Sequence, residues 1–505
     1  MILVFVMLCL AAASFAQSPC EQLRMLSLPQ VAITAADTVP AGPYLPPRRS
    51  AEFTVNLATR CRVTAVLAPS SDSHIEMELW LPIENWNGKF EAVGNGGWSG
   101  AIQYQSQNLV ANSMVAGFTE GYAVASTDRG LRGGPQAAVD HPEKLVDFGY
   151  RAVHETVVTS KTIISAFYGS EPEFSYWNGC SSGGQEGLME AQRYPDDFDG
   201  IAAGAPANYW TPLMVGGIWN ARAISKGEPG YMTPEQLLLL HKAVIQACDA
   251  LDGVKDGLLE DPTRCKFDPQ ILQCKGADSS MCLTPAQVSA VGRMYAGPVN
   301  PTSKEQILPG IDPGSELNWS LYDGPVGINI QQNYFRFLVF QDPSWDYRKL
   351  DFNSELARAD RQGASVLNAT NPNLQPFFDH GGKLLQYHGW SDETIPPLSS
   401  VHYYTSVLEE LGGPRNVDGS YRLFMVPGMS HCGQSDGFKL FNPISALERW
   451  RESDIPPDEM TSMHVTNGVV DSVHLVCPYP SVATYKGKGS VNDAANFTCK
   501  VPSPN

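Results

Sequence analysis

The stretch FSYWNGCSSGGQEGLMEAQRYP, Phe174 to Pro195, runs from an aromatic, strand-forming segment through a glycine-lined corner into helix formers. Its corner, Gly179-Cys180-Ser181-Ser182-Gly183, matches a Gly-x-Ser-x-Gly pentapeptide. Glycine at both ends lets a strand turn sharply into a helix with the central serine held out at the turn. Ser181 is therefore the candidate nucleophile. Ser182 would open the helix, where its backbone N–H can face an oxyanion. The pentapeptide alone is a weak signal, and the strand before it and the helix after it supply the context it needs.

The same alternation continues on either side. YAVASTD (Tyr122–Asp128) reads as a strand, and GYRAVHETVVTSKTIISAFYG as an amphipathic helix beginning near Gly149. FDGIAAGAPA (Phe198–Ala207) reads as the next strand, and the pattern returns at KLLQYHGWSD (Lys383–Asp392) and YRLFMVPGMSHC (Tyr421–Cys432). This predicts an α/β fold with a mostly parallel sheet. From about Tyr209 to Asp351 the text changes to short helices, many prolines and glycines, and the cysteines 248, 265, 274 and 282. That segment reads as an insertion stapled by disulfides between core strands, and no internal repeat is present.

A serine hydroxyl at its ordinary pKa is a poor nucleophile and needs a base and an orienting acid. In an α/β-hydrolase these follow in the order Ser, Asp or Glu, His. Asp392 in QYHGWSDETIPP and His431 in FMVPGMSHCGQ each stand in a turn after a predicted strand. His388 and Asp249 are rival members that fit less well. If His431 approaches Ser181 to hydrogen-bond distance, their neighbours Cys180 and Cys432 are carried close enough for a disulfide.

Composition narrows the class. The chain has 505 residues, 43% hydrophobic and 17% charged, with a formal net charge of -18. Such a balance argues against nucleic acid or an anionic membrane surface as partner. The opening MILVFVMLCLAAASFAQ is apolar from Ile2 to Ala13, with small residues Ser14 and Ala16 before Gln17. It predicts a signal peptide over 1–16, although its start lacks Lys or Arg. No other run is apolar for long enough to span a bilayer. Eleven cysteines become ten once Cys9 leaves with that peptide, an even number that suits an oxidising compartment. Apart from Cys180–Cys432 the pairing is open from sequence alone. Sequons at Asn318, Asn368 and Asn496 would carry glycans in a eukaryotic host. The loop CDALDGVKDGLLED reads by itself as a pair of tight turns.

The constellation Cys180-Ser181, Asp392, His431-Cys432 resembles that of the tannase and feruloyl esterase family of serine hydrolases. Further motifs carry the likeness over most of the chain: WNGKFEAVGNGGWSG (Trp86–Gly100), YAVASTDRG, DFGYRAVHE, VFQDPSWDY, CPYPSVATYKGKG and NDAANFTC. The resemblance implies an α/β-hydrolase core, 17–208 and 352–505, with a lid domain, 209–351, inserted between nucleophile and acid. It implies Ser181 as nucleophile, Asp392 as acid and His431 as base, with the N–H of Ser182 and one from Gly97 in the Gly94–Trp98 turn as oxyanion donors. It also implies lid disulfides Cys248–Cys265 and Cys274–Cys282, and of the four cysteines that remain, proximity along the chain favours Cys20 with Cys61 and Cys477 with Cys499. A structural calcium is implied on Asp249, Asp252 and Asp256 with the carbonyls of Val254 and Leu258. The loop is not an EF-hand, because Leu251 and Gly253 stand at ligand positions 3 and 5.

The expected activity is hydrolysis of small or plant-polymer-linked esters of aromatic acids, feruloyl esters ahead of galloyl esters or terephthalate monoesters, by a secreted enzyme. NYFRFLVFQDP (Asn333–Pro343), with Arg336, is a candidate pocket lining. The non-enzymatic alternative is an inactive module that binds phenolic polymers or cell-wall sugars.

Overall fold

The computed structural model describes residues 19–47, 54–105, 113–277, 280–324, 326–434, 437–439 and 441–503. The expected signal peptide over 1–16 lies outside these residues, as does Cys9. Nine strands form the central sheet: β1 (Val31–Val39), β2 (Arg60–Leu67), β3 (Ile75–Pro82), β4 (Lys89–Val93), β5 (Ala123–Thr127), β6 (Phe174–Cys180), β7 (Gly200–Gly204), β8 (Lys383–Gly389) and β9 (Tyr421–Val426). Their spatial order is β1-β2-β3-β5-β4-β6-β7-β8-β9. The pairs β1/β2, β2/β3 and β3/β5 are antiparallel, and every pair from β5 to β9 is parallel. This is the α/β-hydrolase arrangement.

Burial explains which strands were legible. β6, β7 and β8 are buried almost end to end, as strands covered by helices on both faces must be. β1, at the open edge, alternates between exposed and half-buried positions. Along the parallel strands successive residues serve opposite faces. Trp177, Ile201, Ala203 and Leu384 join the core under the helices Ala152–Tyr168, Ser182–Arg193 and Pro397–Glu410. Tyr176, Ala202, Leu385 and Phe424 join the core under the helices Met114–Thr119 and Pro443–Ser453. The helix expected from near Gly149 is regular only from Ala152. A π-helical turn, Asp147–Arg151, precedes it, and its Phe148 carbonyl accepts from Arg129 Nε at 2.9 Å.

Between β7 and β8 the chain makes no strand of this sheet and builds a third core. Its helices include Trp210–Ile224, Pro234–Cys248, Pro285–Ala296 and Glu355–Leu367. Their apolar faces meet around Trp210, Leu240, Trp319 and Tyr334, and the cluster reaches Trp98 and Phe148 on the sheet side and Leu367 on the chain's way back. The segment offered as pocket lining belongs to this core. Tyr334 and Phe335 are buried, Phe335, Phe340 and Trp345 stack on one another, and Arg336 Nε donates to Trp345 O at 2.8 Å. Aromatic side chains in a small inserted domain are needed first to give it an interior of its own.

Five disulfides are present: Cys20–Cys61, Cys180–Cys432, Cys248–Cys265, Cys274–Cys282 and Cys477–Cys499. No described helix is long and apolar enough to cross a membrane.

Candidate active site

β6 ends at Cys180 and a helix begins at Ser182, so Ser181 turns the chain alone, with φ 67° and ψ -120°. That left-handed backbone is costly for a residue with a side chain, and strain of this kind is characteristic of functional corners. Glycine is required on either side for lack of space. A Cβ on Gly179 would stand 2.5 Å from the carbonyl oxygen of Gly183. One on Gly183 would meet Asn95 O at 3.0 Å and Gly94 Cα at 3.1 Å, because the Gly94–Trp98 turn packs directly on the corner.

Asp392 and His431 come from the turns after β8 and β9, the two strands beyond β7 in the sheet. His431 Nε2 lies 2.9 Å from Ser181 Oγ, and His431 Nδ1 lies 2.7 Å from Asp392 Oδ2. The other oxygen, Asp392 Oδ1, accepts the backbone N–H groups of Thr394 and Ile395, both at 2.8 Å. Burial alone would push the Asp392 carboxyl upward. The His431 charge and the hydrogen bonds from His388 and His431 outweigh it and hold the carboxyl below the usual range. Burial likewise opposes a charge on His431, and the Asp392 carboxylate overrides it, so the imidazole pKa is raised above 6.5. Glu393 is pushed up to about 7 by burial and by the neighbouring Asp392 charge.

The flanking cysteines close the arrangement, with Cα atoms of Cys180 and Cys432 6.1 Å apart. Of the rival members, His388 does touch Asp392, at 3.1 Å, whereas Asp249 sits in the lid loop and accepts from the N–H groups of Asp256 and Gly257.

Around the corner lies a buried network that the sequence does not announce. Arg129 is fully buried, its guanidinium 3.6 Å over the Phe148 ring, with Nη1 donating to Ser182 Oγ and Nε 2.8 Å from Glu186 Oε1. Glu186 Oε2 accepts the N–H of Asn95 at 2.9 Å, and Asn95 O accepts the N–H of Gly183 at 2.8 Å. The Gly94 N–H is taken by Asn178 O. The turn is thus pinned by its first two amides, and Gly96 and Gly97 form its far side. Ser182, first in its helix, has no carbonyl within the helix for its N–H. Several of the quoted motifs hold its members, YAVASTDRG among them with Arg129, but no spacing links Arg129 to Glu186.

The loop after the helix Pro234–Cys248 gathers the predicted cation ligands. Asp249, Asp252 and Asp256 accept backbone N–H groups within their own turns. Asp252 is pushed up to about 7, first by burial and then by the charges of Glu260, Asp256 and Asp249, despite the opposing Val254 N–H. An all-oxygen donor set with this excess of negative charge fits a hard divalent cation. The described side chains whose candidate ligand atoms all lie within 4.8 Å of one another are instead His154, Glu190 and Asp197. His154 Nδ1 is 2.7 Å from Asp197 Oδ2, Lys161 Nζ reaches Asp197 O at 2.6 Å, and burial with the Asp197 charge pushes Glu190 well above the usual carboxyl range.

A cavity of about 510 Å³ lies between lid and core, lined by His241, Asn318, Trp390, Phe438 and His474 among others, and Ser181 and His431 do not line it. Asn318 donates its side-chain amide to Ser391 O at 3.3 Å, and that of Asn368 donates to Thr211 Oγ1 at 3.0 Å. Neither nitrogen is freely presented for a glycan.

Comparison with known proteins agrees with the geometry. The tannase and feruloyl esterase family profile matches residues 61–500. An uncharacterised esterase of Xanthomonas campestris is 34% identical over 98% of this chain and 93% of its own length. A probable feruloyl esterase B-2 of Aspergillus terreus is 34% identical over 94% of each chain. The crystal structure of feruloyl esterase B from Aspergillus oryzae superposes with a TM-score of 0.87 at 30% identity, covering 96% of this chain and all of that one (100%). Tannin acyl hydrolase from Aspergillus niger, at 21% identity and a TM-score of 0.77, shares the fold. By sequence and by structure, the chain belongs to the tannase and feruloyl esterase family.

Proposed function

We propose that the protein is a secreted serine carboxylic-ester hydrolase that cleaves esters of phenolic acids, feruloyl esters foremost, through an acyl-enzyme. The observation that carries this is the unbroken line from Ser181 Oγ through His431 to a buried Asp392 carboxylate. His431 Nε2 takes the proton of Ser181 as Oγ attacks the ester carbonyl, and Asp392 stabilises the imidazolium. The N–H of Ser182 and that of Gly97 hold the oxyanion. The alcohol leaves with the proton from His431. Water activated by the same Nε2 then attacks the acyl-enzyme and releases the acid. The feruloyl preference rests on the named activities of relatives about one-third identical over nearly the whole chain. Five disulfides support folding in an oxidising compartment and hence export.

Asp249, Asp252 and Asp256, with the carbonyls of Val254 and Leu258, would hold a structural calcium, which neutralises the loop's charge and takes no part in the reaction. The test is kcat/KM on methyl ferulate, methyl caffeate, methyl gallate and a terephthalate monoester, with Ser181→Ala alongside. Ferulate should lead and Ser181→Ala should be inert. Normal turnover by the folded variant would falsify the mechanism. A fluorophosphonate should label Ser181 covalently, which an inactive binding module would not allow.

A further inference from the structure

Asp392 meets a second imidazole. His388 stands near the end of β8, four residues before the acid, fully buried and bonded at both ring nitrogens. Tyr421 O–H donates to Gln386 Oε1, and Gln386 Nε2 donates to Ser400 Oγ at 2.7 Å. Ser400 Oγ in turn lies 2.7 Å from His388 Nδ1. On the other side of the ring, His388 Nε2 lies 3.1 Å from Asp392 Oδ2 and 3.1 Å from Ile395 O. A carbonyl and an ionised carboxylate only accept, so Nε2 carries the hydrogen. Ser400 already accepts from Gln386 and turns its own hydrogen to Nδ1, which is bare. All of Gln386, His388, Asp392, Ser400 and Tyr421 are buried away from water, so no solvent competes for these bonds.

We propose that His388 is a positioning residue for the catalytic acid: its Nε2–H anchors Asp392 Oδ2, the oxygen that receives His431 Nδ1–H, and so sets the direction and strength of the Asp392–His431 hydrogen bond. With His388 and His431 on Oδ2 and two backbone N–H groups on Oδ1, the carboxylate has no acceptor site to spare. Without the His388 donor it is free to turn. Its charge, no longer shared, also draws the His431 proton harder. The other titratable groups facing this pair are Glu393, whose carboxyl reaches the His431 N–H, and Tyr322 of the lid, whose hydroxyl donates to Glu393 O.

The inference rests on the Ser181–His431–Asp392 reading and is tested apart from it. His388→Leu removes the donor, and His388→Gln keeps an N–H at the end of a chain of similar reach. His388→Leu should lose about 10- to 100-fold in kcat, the usual worth of a hydrogen bond to a charged group. Its acid limb of kcat/KM should move up by about half a pH unit. His388→Gln should return the limb to the wild-type position and recover most of kcat. A folded His388→Leu with an unmoved limb, or a His388→Gln that behaves like it, would overturn the proposal. Nitrogen-15 NMR of the labelled wild-type protein supplies a readout that needs no turnover and no variant. His388 should show a bare Nδ1 and a protonated Nε2, and the opposite tautomer would sink the idea. An enzyme inert on every ester but carrying the expected tautomer would instead fail the proposed function alone.

Discussion

Two polar clusters, one at the end of the sheet and one in the lid loop, use the same chemical groups to opposite effect. At the sheet end every carboxylate oxygen of Asp392 has donors, and its charge is matched by His431. In the loop Asp249, Asp252 and Asp256 accept local backbone N–H groups, and burial followed by the neighbouring carboxylates raises the proton affinity of Asp252 and Asp256. The first cluster is complete as it stands, whereas the second has negative charge to spare. Activity should therefore answer to the first cluster and stability to the second.

The largest effect should come from Asp392→Asn, which leaves the geometry but spoils the tautomer and charge. It should cost about 10⁴-fold in kcat with little change in melting temperature. A loss below tenfold would break the contrast by moving the function elsewhere. Cys432→Ser should follow, at about 100-fold in kcat, because a misplacement of about 1 Å at Ser181 and His431 is enough for that. Full activity with the bridge verified absent would show that the two turns hold their positions unaided.

For the loop, a chelator should lower Tm by about 3 °C relative to calcium at a hundredfold excess over its Kd. The increment should grow with pH. A carboxyl raised to about 7 makes the cation-free fold lose stability as pH climbs from about 4 to about 7. A calcium ion bound there would replace that proton. A Tm that ignores both chelator and pH would refute the charge argument. The smallest effect is on the pH profile. Protonated His431 cannot accept the serine proton, so kcat/KM should rise with pH through a limb lying above 6.5. A limb below 6.5 would mean that Asp392 does not hold the imidazolium as described.

How much of this could be read from the chain depends on the range of the forces involved. The corner was legible because its constraint is local: Gly179 and Gly183 are needed where the backbone nearly touches itself. Asp392 and His431 followed from chain order and from strands whose continuous burial leaves an apolar signature. The edge strand β1 has no clear signal, since partial exposure and a register shift between Ile33 and Ala35 weaken its alternation. Arg129 with Glu186 escaped because a buried ion pair joins residues with no periodic relation. His388 was visible as a histidine near the acid, but a ring's orientation is set by partners on β9 and on the helix Pro397–Glu410, which no local pattern specifies. The segment Asn333–Pro343 is ambiguous for a related reason, since aromatic composition is the same for a lid's own core and for a pocket wall.

The connection between β7 and β8 has a consequence for biosynthesis. Ser181 and its corner belong to the first half of the chain, while Asp392 and His431 ride on the last two strands added to the sheet. A growing polypeptide can complete the sheet as far as β7, corner included, while it still has no acid, no base and no partner for Cys180. Ser181 therefore stays silent until the turns after β8 and β9 have been made, and the cell handles an inert precursor up to that point.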